Sequence, residues 1–218
     1  MKKVGVELTA ADLTKSTGRG ANFTGANASE TIFEEADLSE AIFAKADLTS
    51  ADLGKARLHR TDFSQANLTD ASLEQTWGRQ VKARGAILRK IRGANAQFSE
   101  GDFREVQAQE SVWQFAQLYR ANFAGARLDG AEFSVSYLSR ATFDGAEMRA
   151  ACLDGANLRR ACLRRANLFT ASLTKANLSN ADFNEANLFG ATLMDTTIHQ
   201  TNWHGANLRR VKAKEQIV

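Results

Sequence analysis

Apolar residues recur along this chain every five positions. The clearest stretch, Ala166 to Leu193, reads ANLFT ASLTK ANLSN ADFNE ANLFG ATL, with Leu or Phe at each fifth residue and Ala two before it. The phase runs unbroken from Val6 and Leu8 to Ala206 and Leu208. Centres from Leu8 to Leu208 in steps of five make 41 repeats, of which 35 have a large apolar centre and 28 have Ala two residues earlier. On a helix, five steps of about 100° carry each apolar pair far from the last, so no stripe forms. On a continuous strand an odd period flips the face at every repeat. The pattern therefore predicts a chain that turns every five residues. The Ala and the centre point inward, the residue between them points out, and the next two make a corner. That middle residue is mostly Asn or Asp, whose side chains bond nearby backbone in turns.

The aromatic centres set the number of sides. Seven of the ten Phe centres share one register in multiples of 20: Phe23, Phe43, Phe63, Phe103, Phe123, Phe143 and Phe183. Trp203 extends it, and Ala83 and Leu163 interrupt it. A 20-residue coil stacks these rings into a core ladder, whereas a 15-residue coil scatters them. The expectation is an all-β, four-sided solenoid of about ten coils, rising roughly 4.8 Å per coil.

The units ADLTS, ADLGK, ANLTD, ANLRR and ANLSN resemble the pentapeptide-repeat family, whose repeat is A(D/N)LXX. The resemblance covers about residues 6–210 and implies a right-handed quadrilateral β-helix. The domain reading is a lead-in at 1–5, one β-helix at 6–210 with irregular coils at 76–115, and a C-terminal tail at 211–218. There is no proline to mark a linker. The start, MKKVGVELTAADL, lacks the apolar run of a secretory signal, and no stretch reaches transmembrane length. The expected location is cytoplasmic, with export lacking a cleaved signal as the other case. Cys152 and Cys162 lie on opposite sides of a coil, so reduced thiols are expected.

Net charge is +3 but uneven. Residues 1–75 carry 8 basic and 12 acidic side chains, and residues 116–218 carry 13 and 9. The middle keeps the phase but loses the signature: centres become Gly78, Ala83, Gly93 and Ala108, and Val81, Ile91 and Val106 replace Ala. A thin or bulged coil is one reading. The other is a partner-binding patch around Trp77, at an out-facing position among many Arg and Lys, since Trp and Arg anchor interfaces. Further along, Arg120, Arg140 and Arg160 share one outer register and form a stripe. Arg159, Arg164 and Arg165 broaden it at one corner. Phe169 and Phe189 share another outer register and should stack outside the coil, with Met194 on the following side. The last coil, with only a short tail to cover it, is a candidate end-to-end homodimer site, as the family resemblance also implies.

Nothing points to catalysis or a cofactor. Ala with Leu or Phe fills each layer, and His59, His199 and His204 lie outside with no third convergent metal ligand. Phosphate loops, nucleophile elbows and HExxH are all missing. The reading is a non-catalytic protein-binding scaffold rod of a bacterial pentapeptide-repeat protein. The alternative, from resemblance to the Qnr-type and MfpA-like quinolone-resistance proteins, is a DNA mimic that binds DNA gyrase or topoisomerase IV. It fits the rod and the acidic N-terminal half, but not the Arg stripe or a pI near 9.0. A minor alternative is a type VI secretion-associated effector or adaptor. Nucleic-acid binding by the basic half is disfavoured because acids interleave with the Arg residues.

Overall fold

The computed structural model describes residues 5–214; residues 1–4 of the lead-in and 215–218 of the tail lie outside it. The chain is a right-handed quadrilateral β-helix. Each out-facing residue pairs in parallel with the one 20 positions on, from Glu7 with Asn27 to Thr192 with Lys212. One coil, residues 121–140, defines the four sides used below: side one is 121–125, side two 126–130, side three 131–135 and side four 136–140.

The backbone accounts for its own polar groups, as a buried chain must. At Phe123 the N–H donates to the Thr142 carbonyl one coil on (2.7 Å), and the Thr142 N–H returns to Ala121 (3.0 Å). Gly125 N–H donates to Asp144 (2.9 Å), and Ala126 N–H closes the corner on Phe123 (3.0 Å). Four of the five N–H groups in a repeat are thereby satisfied. The fifth belongs to the residue after the centre, and the out-facing Asn or Asp supplies its acceptor. Asn122 Oδ1 takes the Ala124 N–H at 3.0 Å, Asn177 takes Ser179 at 3.0 Å, and Asp12 takes Thr14 at 3.0 Å. The recurrent Asn or Asp is thus a turn cap written into the sequence.

The last residue of each repeat adopts positive φ, between about 52° and 69°, whether or not it is glycine. Only the second of the two central turn residues is left-handed, the signature of a type II turn. Such a φ is cheap for Gly and unfavourable for a β-branched residue. Val135, at φ 58°, is therefore a strained position.

Inside, the expected ladder is present. Ring centroids are 4.7 Å apart for Phe23–Phe43, 5.4 Å for Phe43–Phe63, 4.9 Å for Phe103–Phe123, 5.2 Å for Phe123–Phe143 and 4.7 Å for Phe183–Trp203, all stacked. At the ends of the ladder Phe23 and Trp203 are only partly buried.

Coils 76–115 are not bulged, because parallel pairing crosses them without a gap. Their irregularity is confined to side chains, and it follows from volume. A Cβ on Gly78 would meet the Phe98 ring at 2.6 Å, and one on Gly93 would meet Trp113 at 3.2 Å. Small centres sit against large ones in the next coil, which keeps the core filled without overpacking. The Trp113 indole N–H, fully buried, donates to Ser111 Oγ at 2.8 Å. The tail boundary also moves: Val211 and Ala213 pack on the core and Lys212 pairs with Thr192, so the pattern continues one side past residue 210.

Candidate partner-binding side

Nine large apolar side chains are exposed among the described residues. Five of them gather on side four or the corner leading into it. Trp77 (55% exposed) and Tyr137 (54%) occupy one out-facing row with Gln97 and Gln117 between them. Tyr119 stands in the adjacent row, and Phe115 and Val135 form the corner. Val135 borders this patch; the same β-branched strain recurs at Thr170 on side two, so it belongs to the corner geometry of the coil.

The charges on this side are mainly positive from residue 57 to 160, while Asp37 and Glu40 share the side in the coil before. Between residues 57 and 160 it carries Arg57, Arg60, Arg79, Arg120, Arg140, Arg159 and Arg160, no Lys, and a single carboxylate, Glu100. Asp102, Glu105, Glu110, Glu132, Asp144 and Glu147 fall on the other three sides. The interleaving seen along the chain is undone by the coil, so the argument from it against a basic face does not hold here. Glu100 accepts from Arg79 (2.8 Å) and from Gln80 (2.9 Å), and those bonds, Arg79 first, hold its carboxyl below the usual range. The Arg120 guanidinium lies over the Tyr119 ring, 5.2 Å from its centroid. Arg57, Arg140, Arg159 and Arg160 enter no ion pair among the described residues. Shallow depressions of about 380 Å³ and 160 Å³ flank His59 and Trp77 on the same side. His59 has a structural task there: its Nδ1 accepts the Arg79 N–H at 3.3 Å, replacing the cap that Trp77 cannot provide.

The other expected site residues separate. Arg120, Arg140 and Arg160 form the ridge between sides four and one, at the left-handed corner residue. Arg164 and Arg165 do not widen that ridge, because five residues carry them a full side onward. There Arg164 is bonded to Asp182, and Arg165 to Asp144 at 3.2 Å. Phe169 and Phe189 do stack on side two, with centroids 5.6 Å apart. Phe189 is partly buried and covered by Arg210 at 5.4 Å, so Phe169, 41% exposed, is the open ring of the pair. Met194 is half-buried on side three. Tyr119, Tyr137, Phe115 and Val135 were missed by sequence reasoning. Folding the phase modulo 20 was the signal that would have grouped them with Trp77.

Among the described residues no three His, Cys, Asp or Glu converge to hold a metal ion, and no helix is long and apolar enough to cross a membrane. Cys152 and Cys162 are free and half-buried, and burial pushes the Cys152 thiol up.

The family model for pentapeptide repeats matches residues 4–40, 41–76, 116–155 and 151–190. The gap it leaves, 77–115, is where Asn and Asp caps are scarce. Among solved structures, HetL, a pentapeptide-repeat protein involved in heterocyst differentiation regulation in the cyanobacterium Nostoc sp. strain PCC 7120, is 26% identical. That alignment covers 96% of this chain and 90% of HetL with a TM-score of 0.60. A trypsin-treated variant of QnrB1, a plasmid-mediated fluoroquinolone resistance protein, is 19% identical over 97% of this chain and 91% of its own, with a TM-score of 0.52, a likeness of fold. A search among curated proteins finds no significant match.

Proposed function

We propose that this chain, which belongs to the pentapeptide-repeat family, is a non-catalytic scaffold rod that binds another protein through side four. The observation carrying this reading is the coincidence of Trp77, Tyr119 and Tyr137 with seven Arg on one side. Trp, Tyr and Arg dominate interface energetics, while Lys is depleted there. Both Trp77 and Tyr137 occupy positions where the regular repeats carry an Asn or Asp cap, so at both the turn cap is given up for an exposed aromatic.

The gyrase-directed DNA mimic draws less support. A mimic needs carboxylates free to stand in for phosphates. In the acidic first third, Glu34 pairs with Lys55 and Glu40 with Arg19 (both 2.9 Å), while Asp37, Asp47 and Asp62 accept turn N–H groups.

Comparative affinity capture tests the main reading. Wild-type protein, a Trp77→Ser/Tyr137→Ser double variant and a Phe169→Ser variant are used as bait in extract of the source cell. A partner retained by wild type and Phe169→Ser but lost by the double variant is the expected result. Identical protein profiles for all three baits would remove side four as the interface.

A further inference from the structure

Resting on the reading of side four as a protein interface, the geometry points to its partner's shape and charge. We infer that it takes a single amphipathic helix, acidic along one stripe and apolar along the next, lying parallel to the rod axis.

Dimensions come first. The side is one repeat wide, three outward side chains across. From the coil of Arg57 to that of Arg160 it runs five coil steps, about 24 Å at the spacing of paired strands. A stable interface between globular surfaces covers about 800 Å² per partner over a broad patch. A strip this narrow suits a linear element instead. An α-helix of about 16 residues spans the same length at 1.5 Å per residue.

Periodicity comes next. The ridge Arg120, Arg140, Arg160 repeats every coil, about 4.8 Å. Carboxylates at i, i+4 and i+7 of a helix repeat about every 5.4 Å turn, so three successive pairs stay in reach. An extended strand presents same-face side chains about 6.8 Å apart and drifts out of step sooner. The ridge is all Arg, whose planar fork grips carboxylates in pairs.

The second stripe follows from the neighbouring row. Tyr119 adjoins the ridge, Tyr137 stands one row further across the side, and Phe115 and Val135 hold its opposite corner; all four are exposed. They offer apolar area to Leu-like side chains one stripe round the helix. Single-stranded nucleic acid also stacks on aromatics beside Arg. One feature turns the balance to a helix: Val135 and Phe115 at the rim call for aliphatic cover, while Glu100, in the ridge register one coil before Arg120, confines the acidic stripe to the coils of Arg120, Arg140 and Arg160.

The test uses a fluorescein-labelled helical peptide of about 16 residues, with Glu on one stripe, Leu on the next and Ala elsewhere. A scrambled peptide of the same composition, a version with Lys for Glu, and oligo(dT) of matching length are the comparisons. Anisotropy at low and physiological salt should show the patterned acidic peptide binding at least about tenfold tighter than each comparison. Arg120→Gln/Arg140→Gln/Arg160→Gln and Tyr137→Ser should each weaken it by about tenfold or more, while Phe169→Ser leaves it unchanged. Circular dichroism melts confirm that the variants remain folded. Equal binding of the scrambled peptide, tighter binding of oligo(dT), or indifference to the Arg substitutions would overturn the helix assignment. A partner still captured through Trp77 and Tyr137 would then leave the protein-binding reading standing with a differently shaped ligand.

Discussion

Coils 156–193 and coils 76–118 share one backbone and differ in how they use one position. In the later coils the out-facing residue is Asn, Asp, Ser, Thr or Cys. Asn157, Asn177, Asp182 and Asn187 each accept the N–H two residues on, and Asn207 extends an Asn ladder by donating to Asn187 at 3.0 Å. In the middle coils the same position holds Trp77, Lys82, Ile87, Arg92, Gln97 and Val112, and the side-chain cap is mostly given up. The parallel ladder holds regardless. Backbone pairing and core volume suffice to make the coil, so the cap is a modest increment that the chain can forgo. Where it is forgone, the most outward side chain of the repeat is released for recognition.

The largest effect should come from the element both regions share. Phe123 is fully buried between Phe103 and Phe143, and Phe123→Asp places an unpaired charge there. Loss of cooperative unfolding in a circular dichroism melt is expected, since truncation of a core Phe alone costs about 3–5 kcal/mol and the charge adds to it. Next is the middle core. Gly78→Ala puts a methyl 2.6 Å from the Phe98 ring, and a loss of about 1–3 kcal/mol in denaturant melts is expected. Phe98→Leu in the same chain should recover part of it. Equal, additive losses in the double variant would show that the two sites do not share one volume.

Cap exchange sharpens the comparison more finely. Asn177→Ala should cost about 1 kcal/mol by leaving the Ser179 N–H without its partner, with no change in partner capture. Tyr137→Asn should do the reverse, raising stability by a few tenths to 1 kcal/mol through a new cap on Ser139 while abolishing capture. A Tyr137→Asn variant that is less stable would mean the tyrosine supports the coil. Smallest is the response to acid. Asp37 and Asp102 have folded pKa values below the ordinary 3.8, through hydrogen bonds from Ser39 and Arg104 respectively. Their contribution is complete above the unfolded value and is lost as pH falls through the folded one. The melting temperature should therefore hold above about pH 5 and decline below about pH 4.

The five-residue phase, the four sides and the aromatic ladder were legible because each is a strict period, and periods survive in one dimension. Trp77 was placed correctly by the same phase. What stayed hidden was the grouping of side chains by side. Arg164 follows Arg160 by four residues yet stands round the corner with Asp182, and Asp102 lies close to Glu100 in sequence but on another side. Tyr119 and Tyr137 are 18 residues apart and neighbours in space, because a coil is 20 residues long. The fit of Gly78 to Phe98 was hidden for the same reason, since each reads as an exception until the coil sets one above the other.

One scan around a single coil tests the central claim that recognition belongs to side four. A photocrosslinking amino acid is placed in turn at Ala124, Asp129, Ser134 and Tyr119, the same outward position on each of the four sides, and the protein is irradiated in its native cells. The account predicts a discrete protein adduct from position 119 that is lost on adding Arg140→Gln and Arg160→Gln, and none of comparable yield from the other three. Equal adducts from all four sides, or a protein adduct confined to position 129 on the side of Phe169, would contradict it.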